Sequence, residues 1–441
     1  MRILLGVHHF PPVHQGGAEL RALRTAQQLQ SRGMDVHVFC VEDIEFGSSP
    51  GCFVTEEVYE GLPLTRLFLN AHLYPDPHRF EYENLWIEET ARELIHRLAP
   101  QLFHLFSGYL LSGSVIVEAK RAGLPVCLSL TDFWFLCREI NKLTPLGRLC
   151  PLSVSRVDCV RCEAEHRRRY RVLDQVFPPL MTLYWQLHFA EKEQIIRREA
   201  FLQRVLAQVD LMISPSQFLR SVYIRAGIPA ERIVFCRQGR DFPGLTPENL
   251  VKTPSEKLRL GYTGQIAPHK GVHLLIKALQ MLPGLPLSVV IYGDMSRYPQ
   301  YAHCLEKAST RDSRIHLMGA FPEGTPLWKI YQEMDVQIVP SLWYENSPNV
   351  ILEAFAHRTP VITSNQGGMA EMVQDGVDGL HFEHGNAKSL AACIGRLNQD
   401  RGLLRRLQDG IQPVRSTSQE VDELIEVYQK ILVRSPEHRG R

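Results

Sequence analysis

Residues 1–41 constrain the fold more than any other stretch of this chain. Residues 2–7 form an apolar run of strand length, and Pro11-Pro12-Val13-His14-Gln15-Gly16-Gly17 follows as a loop. Leu20, Leu23, Ala26 and Leu29 then recur at helical spacing through residues 18–32; Gly33 stops the helix, and 36–41 is β-rich again. A strand, a crossover helix and a second strand of these lengths predict a parallel, doubly wound α/β sheet.

Further strand-like runs stand at 102–105, 126–130 and 211–214. The second half repeats the alternation more sharply, with short β-rich runs at 258–262, 287–292, 315–318, 336–339 and 361–363. Runs of this kind between helices read as strands buried on both faces. A Pro-rich break, with Pro243, Pro247 and Pro254, separates the halves. The expectation is two Rossmann-like domains facing a cleft, residues 1–245 and 258–410. Their functional loops should lie at the carboxyl ends of the strands. A tail at 411–441, helical around 421–433, is expected to cross back to the first domain.

A length of 441 residues suits two domains rather than one. The 49 Lys and Arg against 48 Asp and Glu leave no basic excess, which argues against nucleic acid as the partner. The first apolar run ends at His8 and His9, too soon for a signal peptide or a membrane span, so a cytoplasmic protein is expected.

The chemistry concentrates in residues 339–355. A strand ends at Val339, a polar loop follows, and Pro348 fits the first position of a helix with Asn346 or Ser347 as its cap. Val350, Ile351, Leu352, Ala354 and Phe355 make that helix apolar nearly all round, so Glu353 is buried and requires donors. Either a ribose diol or an internal salt bridge would supply them. Glu345 precedes the helix start and could orient sugar hydroxyls, while the N–H groups around Pro348, Asn349 and Val350 hold a diphosphate. Upstream, Tyr262-Thr263-Gly264-Gln265-Ile266-Ala267-Pro268-His269-Lys270-Gly271 ends a strand and sets Lys270 before the next helix, where it could neutralise a departing diphosphate. Two glycine pairs, Gly16-Gly17 and Gly367-Gly368, each fall between a strand and a helix; a tight turn and a phosphate cradle both fit.

At these residues the sequence resembles the family 4 retaining glycosyltransferases of the GT-B fold. Glu345 and Glu353 match the family's two glutamates, Lys270 its donor-phosphate lysine, and Gly16-Gly17 its N-terminal loop. Gly367-Gly368 with Glu371 matches its Gly-Gly-x-x-Glu element, and Ser214-Pro215-Ser216 its end-of-domain signature. The resemblance runs from about residue 1 to about 410, with the motifs in order. Three positions depart from it: Gln265 replaces an Arg, Thr131 replaces the His before Asp132, and Phe106 replaces the companion of His104. The resemblance implies transfer of a sugar from a nucleoside-diphosphate donor to a glycan or lipid-linked acceptor with retention of configuration. It implies catalytic roles for Glu345, Lys270 and Asp132, donor contacts from Gln265 and Asn346, and no catalytic metal. A nucleotide-sugar epimerase or phosphorylase, or a sugar-nucleotide-binding module without catalysis, is the alternative on the same architecture.

Two stretches stand outside that pattern. Cys137, Cys150, Cys159 and Cys162 cluster in a loop-rich insertion, about 137–162, and end in a C-x2-C pair that suits a structural four-thiolate zinc; a disulfide pair or free thiols would fit too. The basic run 166–171 then precedes an apolar, aromatic-rich run at 176–190, too short to cross a bilayer. It could lie on the inner face of an anionic membrane, or form a core helix with a solvated basic flank.

Overall fold

The computed structural model describes residues 1–321 and 324–434. The chain forms two units, Met1–Gln238 together with the segment from Thr417, and Gly239–Ser416. The boundary lies earlier than the Pro-rich break at 243–254, because the segment after Gln238 bonds into the second unit: Arg240 N–H donates to Arg415 O at 2.8 Å.

The first unit is an eight-stranded sheet. Its strands are β1 (Arg2–Val7), β2 (Asp35–Asp43), β3 (Cys52–Tyr59), β4 (Leu62–Leu69), β5 (Leu102–Phe106), β6 (Val126–Ser129), β7 (Leu211–Ser214) and β8 (Ile233–Phe235). They lie in the order β3-β4-β2-β1-β5-β6-β7-β8, parallel except for the β3–β4 hairpin. That hairpin escaped the sequence reading. Its signal was the two-residue turn Glu60-Gly61, where φ is 48° and 80°, the left-handed pair that suits a right-twisted hairpin. Helix α1 (Gly17–Ser31) crosses from β1 to β2 and buries Ala22, Leu23, Ala26 and Leu29.

After β6 the chain leaves the sheet. It forms α2 (Arg156–Ala164), α3 (Arg168–Val176) and α4 (Pro178–Leu187), where Val160, Ala164, Met181 and Trp185 make a small separate core.

The second unit is a six-stranded, all-parallel sheet: β9 (Leu258–Thr263), β10 (Leu287–Tyr292), β11 (Ile315–Gly319), β12 (Val336–Val339), β13 (Val361–Ser364) and β14 (Gly379–Phe382). Its order β11-β10-β9-β12-β13-β14 reverses direction between β9 and β12. The loops leaving those two strands therefore diverge from a crevice at their carboxyl ends. Helix α5 (Asn349–Ala356) follows β12, and α6 (Gly367–Met372) follows β13.

The last helix among the described residues, α7 (Thr417–Arg434), returns to the first unit. It buries Val421, Leu424, Val427, Tyr428 and Ile431 against β1, α1 and β5 residues. One face of the helix is thus apolar, and each fully buried side chain of this kind contributes roughly 1.5–3 kcal/mol. Arg21 and Glu420, both buried, close the contact at 2.6 Å.

Candidate active site

The second unit brings the two chemistry-bearing segments together at its reversal point. The loop after β9 carries Lys270 and the loop after β12 carries Glu345; Leu342 N–H donates to His269 O at 2.8 Å and ties one loop to the other. Lys270 Nζ lies 2.6 Å from Glu345 Oε1, and Ser341 Oγ lies 3.0 Å from the same oxygen. The ammonium also stands over the Trp343 ring, 4.7 Å from its centroid. Burial pushes the Glu345 carboxyl up, but the charge and hydrogen bond of Lys270 reverse this and hold it below 4.5. Burial, then the Lys270 charge, lowers His269 to about 4, so that ring is neutral at pH 7.

Glycines make this proximity possible. Gly271 has φ +73°, and a Cβ there would lie 2.0 Å from Pro340 O. A Cβ on Gly368 would lie 1.9 Å from Asn346 O, and the Gly368 N–H donates to Glu345 O at 2.7 Å. The second glycine pair is therefore a seat for the backbone of Glu345 and Asn346. Between the phosphate cradle and the tight approach that the sequence left open, the structure shows close backbone packing at Gly367-Gly368.

Helix α5 begins at Asn349, with Pro348 as N-cap and no side-chain cap, one residue later than the sequence suggested. Asn346 and Ser347 do not cap it, because Pro348 takes that place in extended conformation. The Ser347 hydroxyl is buried without a hydrogen-bond partner. Val350 lies in the first turn, and Gln265, half-buried, accepts a hydrogen bond from Tyr262 OH on its main-chain oxygen at 2.7 Å.

Glu353 is buried, as its helix required, and its donors are internal: Arg240 Nη1 pairs with Oε1, and Tyr331 OH makes a long 3.5 Å contact with Oε2. Sequence reasoning missed Arg240, Ser341 and Trp343, which have no motif of their own. Glu371 sits half-buried on α6.

The predicted residues of the first unit form separate groups. Gly16 is the N-cap of α1 and Gly17 its first residue. Asp132 accepts from Ser107 Oγ at 2.6 Å, Thr131 Oγ1 at 2.9 Å and Trp134 N–H at 2.8 Å. Its carboxylate thus organises the loop after β6. Thr131, where the resemblance leads to a His, serves Asp132 itself.

His9, His14 and Glu42 form a group the sequence did not announce, with Glu42 Oε2 2.6 Å from His9 Nδ1 and 3.2 Å from His14 Nε2. Glu42 is also held by Arg66 at 2.7 Å. Cys137, Cys150, Cys159 and Cys162 are all half-buried free thiols in and around α2. Beside them lies a cavity of about 540 Å³, lined by Tyr109, Tyr170 and Trp185 with Arg138 and Glu139.

Comparison with known proteins resolves the family. Residues 16–239 match the model of the glycosyl transferase 4-like domain, half of the chain, and residues 257–400 match that of the group 1 glycosyl transferases. The chain belongs to the 4-like, group 1 glycosyl transferase family. Within this family it is similar to the amylovoran biosynthesis glycosyltransferase AmsK of Erwinia amylovora, 27% identical over 44% of this chain and 49% of that one. It is similar also to the lipopolysaccharide 1,2-N-acetylglucosaminetransferase of Salmonella typhimurium, 29% identical over 43% of this chain and 53% of that one. The matches thus span about half the length of these relatives. The fold of the glycosyl transferase is shared with Anabaena HepE, solved in complex with UDP and glucose: TM-score 0.61, 18% identity, 98% of this chain and 100% of that one covered.

Proposed function

We propose that this glycosyl transferase moves a sugar from a nucleoside-diphosphate donor to a hydroxyl of a glycan or lipid-linked acceptor, with retention at the anomeric carbon. The amylovoran-biosynthesis and lipopolysaccharide roles in the relatives' names support that class of product. The observation that carries the reading is the Lys270–Glu345 pair beside the uncapped start of α5 and the partnerless Ser347 hydroxyl.

A diphosphate at that helix start meets its N–H groups and the Lys270 ammonium, the groups that stabilise charge on a leaving phosphate. Glu345 holds Lys270 in place and offers its carboxylate to sugar hydroxyls. Glu353 Oε2, the oxygen with the longer internal contact, is the one a ribose hydroxyl would meet. In retention of this kind the acceptor oxygen bonds to the anomeric carbon from the face that the diphosphate leaves, and a donor phosphate oxygen takes its proton. No protein nucleophile and no catalytic metal enter; binding and orientation carry the acceleration.

The acceptor side is assigned to the first unit, with the aromatic-lined cavity near α4 as an acceptor pocket. The exposed apolar faces of α3 and α4 beside Arg167, Arg168 and Arg169 support peripheral contact with the inner face of an anionic membrane. Among the described residues no helix is long and apolar enough to cross a bilayer. A screen of nucleoside-diphosphate sugars, following release of free nucleoside diphosphate, tests the reading. Wild type should turn over at least one donor, and Lys270→Ala and Glu345→Ala should not; equal behaviour of all three against every donor and a broad acceptor set would refute it.

A further inference from the structure

The insertion after β6 has too little core to fold on apolar burial alone. Across residues 137–165 the buried hydrophobic side chains are Leu143, Val160 and Ala164. Segments so poor in core are ordinarily held by disulfides or a metal.

This one is well shaped nonetheless. Leu143 and Leu149 form an antiparallel bridge, Thr144 N–H donates to Arg148 O at 2.9 Å, and Cys150 N–H donates to Lys142 O at 2.8 Å. That hairpin carries Cys150 on the arm opposite Lys142, while Cys137 enters it from a turn closed by Ile140 N–H on Cys137 O at 3.1 Å. Ser155 and Asp158 then make a capping box that starts α2. Cys159 and Cys162 stand three residues apart on it, on one face. Ion pairs of Arg138 with Glu163 and of Arg148 with Glu165 draw the Cys137 turn and the Cys150 hairpin onto this helix.

We propose that Cys137, Cys150, Cys159 and Cys162 together bind one structural Zn²⁺ as four thiolates. Each thiol gives up its proton as its Zn–S bond forms, so one ion releases four protons and leaves a site of net charge −2. Lys142, buried with its ammonium on Pro151 O at 3.2 Å, lies in the same hairpin and offsets part of that charge. No three of the sulfurs lie within 4.8 Å of one another. Binding therefore turns the four side chains toward a common centre, joining hairpin to helix. Because Val160 and Ala164 of α2 pack on Met181 and Trp185 of α4, the metal would also brace the helices that follow.

The test is made on the full chain purified under reducing conditions without added metal. One equivalent of zinc by mass spectrometry is expected, released by a thiol-specific mercurial and absent from the Cys159→Ser/Cys162→Ser variant. Because that variant could fail to fold, wild type is also exchanged into Co²⁺, which should show thiolate-to-cobalt charge transfer. Zinc or iron below about a tenth of an equivalent would overturn the proposal. So would iron in place of zinc, a disulfide among the four, or cobalt bound without charge transfer and lost in His14→Ala, which would place the ion on His9, His14 and Glu42.

Discussion

Lys270 Nζ stands 2.6 Å from Glu345 Oε1 although 75 residues separate them. They meet because β9 and β12 are neighbours where the strand order reverses, so both loops leave the same edge of the sheet. The pair predicts an asymmetric outcome. Lys270→Ala removes a cation from the leaving diphosphate and should lower donor turnover by about 10²–10³-fold. It also strands a buried carboxylate, so the melting temperature should fall, and Glu345→Gln in the same background should restore stability without restoring turnover. Recovery of turnover would contradict the assigned roles.

Arg240 and Glu353 form a second buried pair, with side chains 16% and 12% exposed. Arg240→Leu should cost about 3 kcal/mol, because it leaves the buried Glu353 without its partner. Arg240→Leu/Glu353→Leu should regain much of that while the KM for donor stays high. Denaturation midpoints and donor kinetics on both variants separate the structural share from the ribose contact.

Gly368→Ala places a methyl 1.9 Å from Asn346 O. The backbone of Glu345 and Asn346 would have to move away from α6, displacing the carboxylate that holds Lys270. We expect at least a ten-fold loss in kcat/KM, whereas Gly284→Ala, whose Cβ would meet nothing within 4 Å but carries φ +73°, should affect stability alone.

His104 is fully buried between Tyr428 OH at 2.6 Å and Ser129 Oγ at 2.9 Å, linking β5 and β6 to α7. Burial, then the Arg21 charge, lowers it from 6.5 to about 3. The unfolded chain therefore binds a proton that the folded chain refuses. Stability is full above about pH 6.5 and is lost as pH falls toward 3, by about 2 kcal/mol at pH 5 from this residue. Calorimetry of wild type and His104→Gln between pH 7 and 5 should show a shallower decline in the variant.

Leu180, Leu183 and Leu187 are 62%, 53% and 63% exposed on one face of α4, while Met181 and Trp185 fill the small core on the other. A helix apolar on both faces leaves one unpartnered. Wild type should float with vesicles rich in anionic lipid and remain behind with neutral ones. Replacing Arg167, Arg168 and Arg169 by Glu, or Leu180 and Leu183 by Ser, should abolish flotation.

Much of the fold was legible because its signals are local. The β-rich runs at 258–262, 287–292, 336–339 and 361–363 reappear as β9, β10, β12 and β13 within a residue. The apolar surround of Glu353 announced its burial. The hairpin β3–β4 was missed because its turn signal is two residues long, and the start of α5 was misplaced by one because Pro fits both cap and first turn.

By itself the sequence determined the alternation of strand and helix, the reversal of apolar pattern that defines each element, and the order of motifs that marks the family. Only the tertiary structure decided which buried charges meet. Lys270 with Glu345, Arg240 with Glu353 and Gly368 beneath Asn346 are set by strand order across 75, 113 and 22 residues. Periodicity reports a residue's own backbone and exposure, whereas the partner of a buried charge depends on which distant strand lies alongside, and one chain read end to end does not display that adjacency.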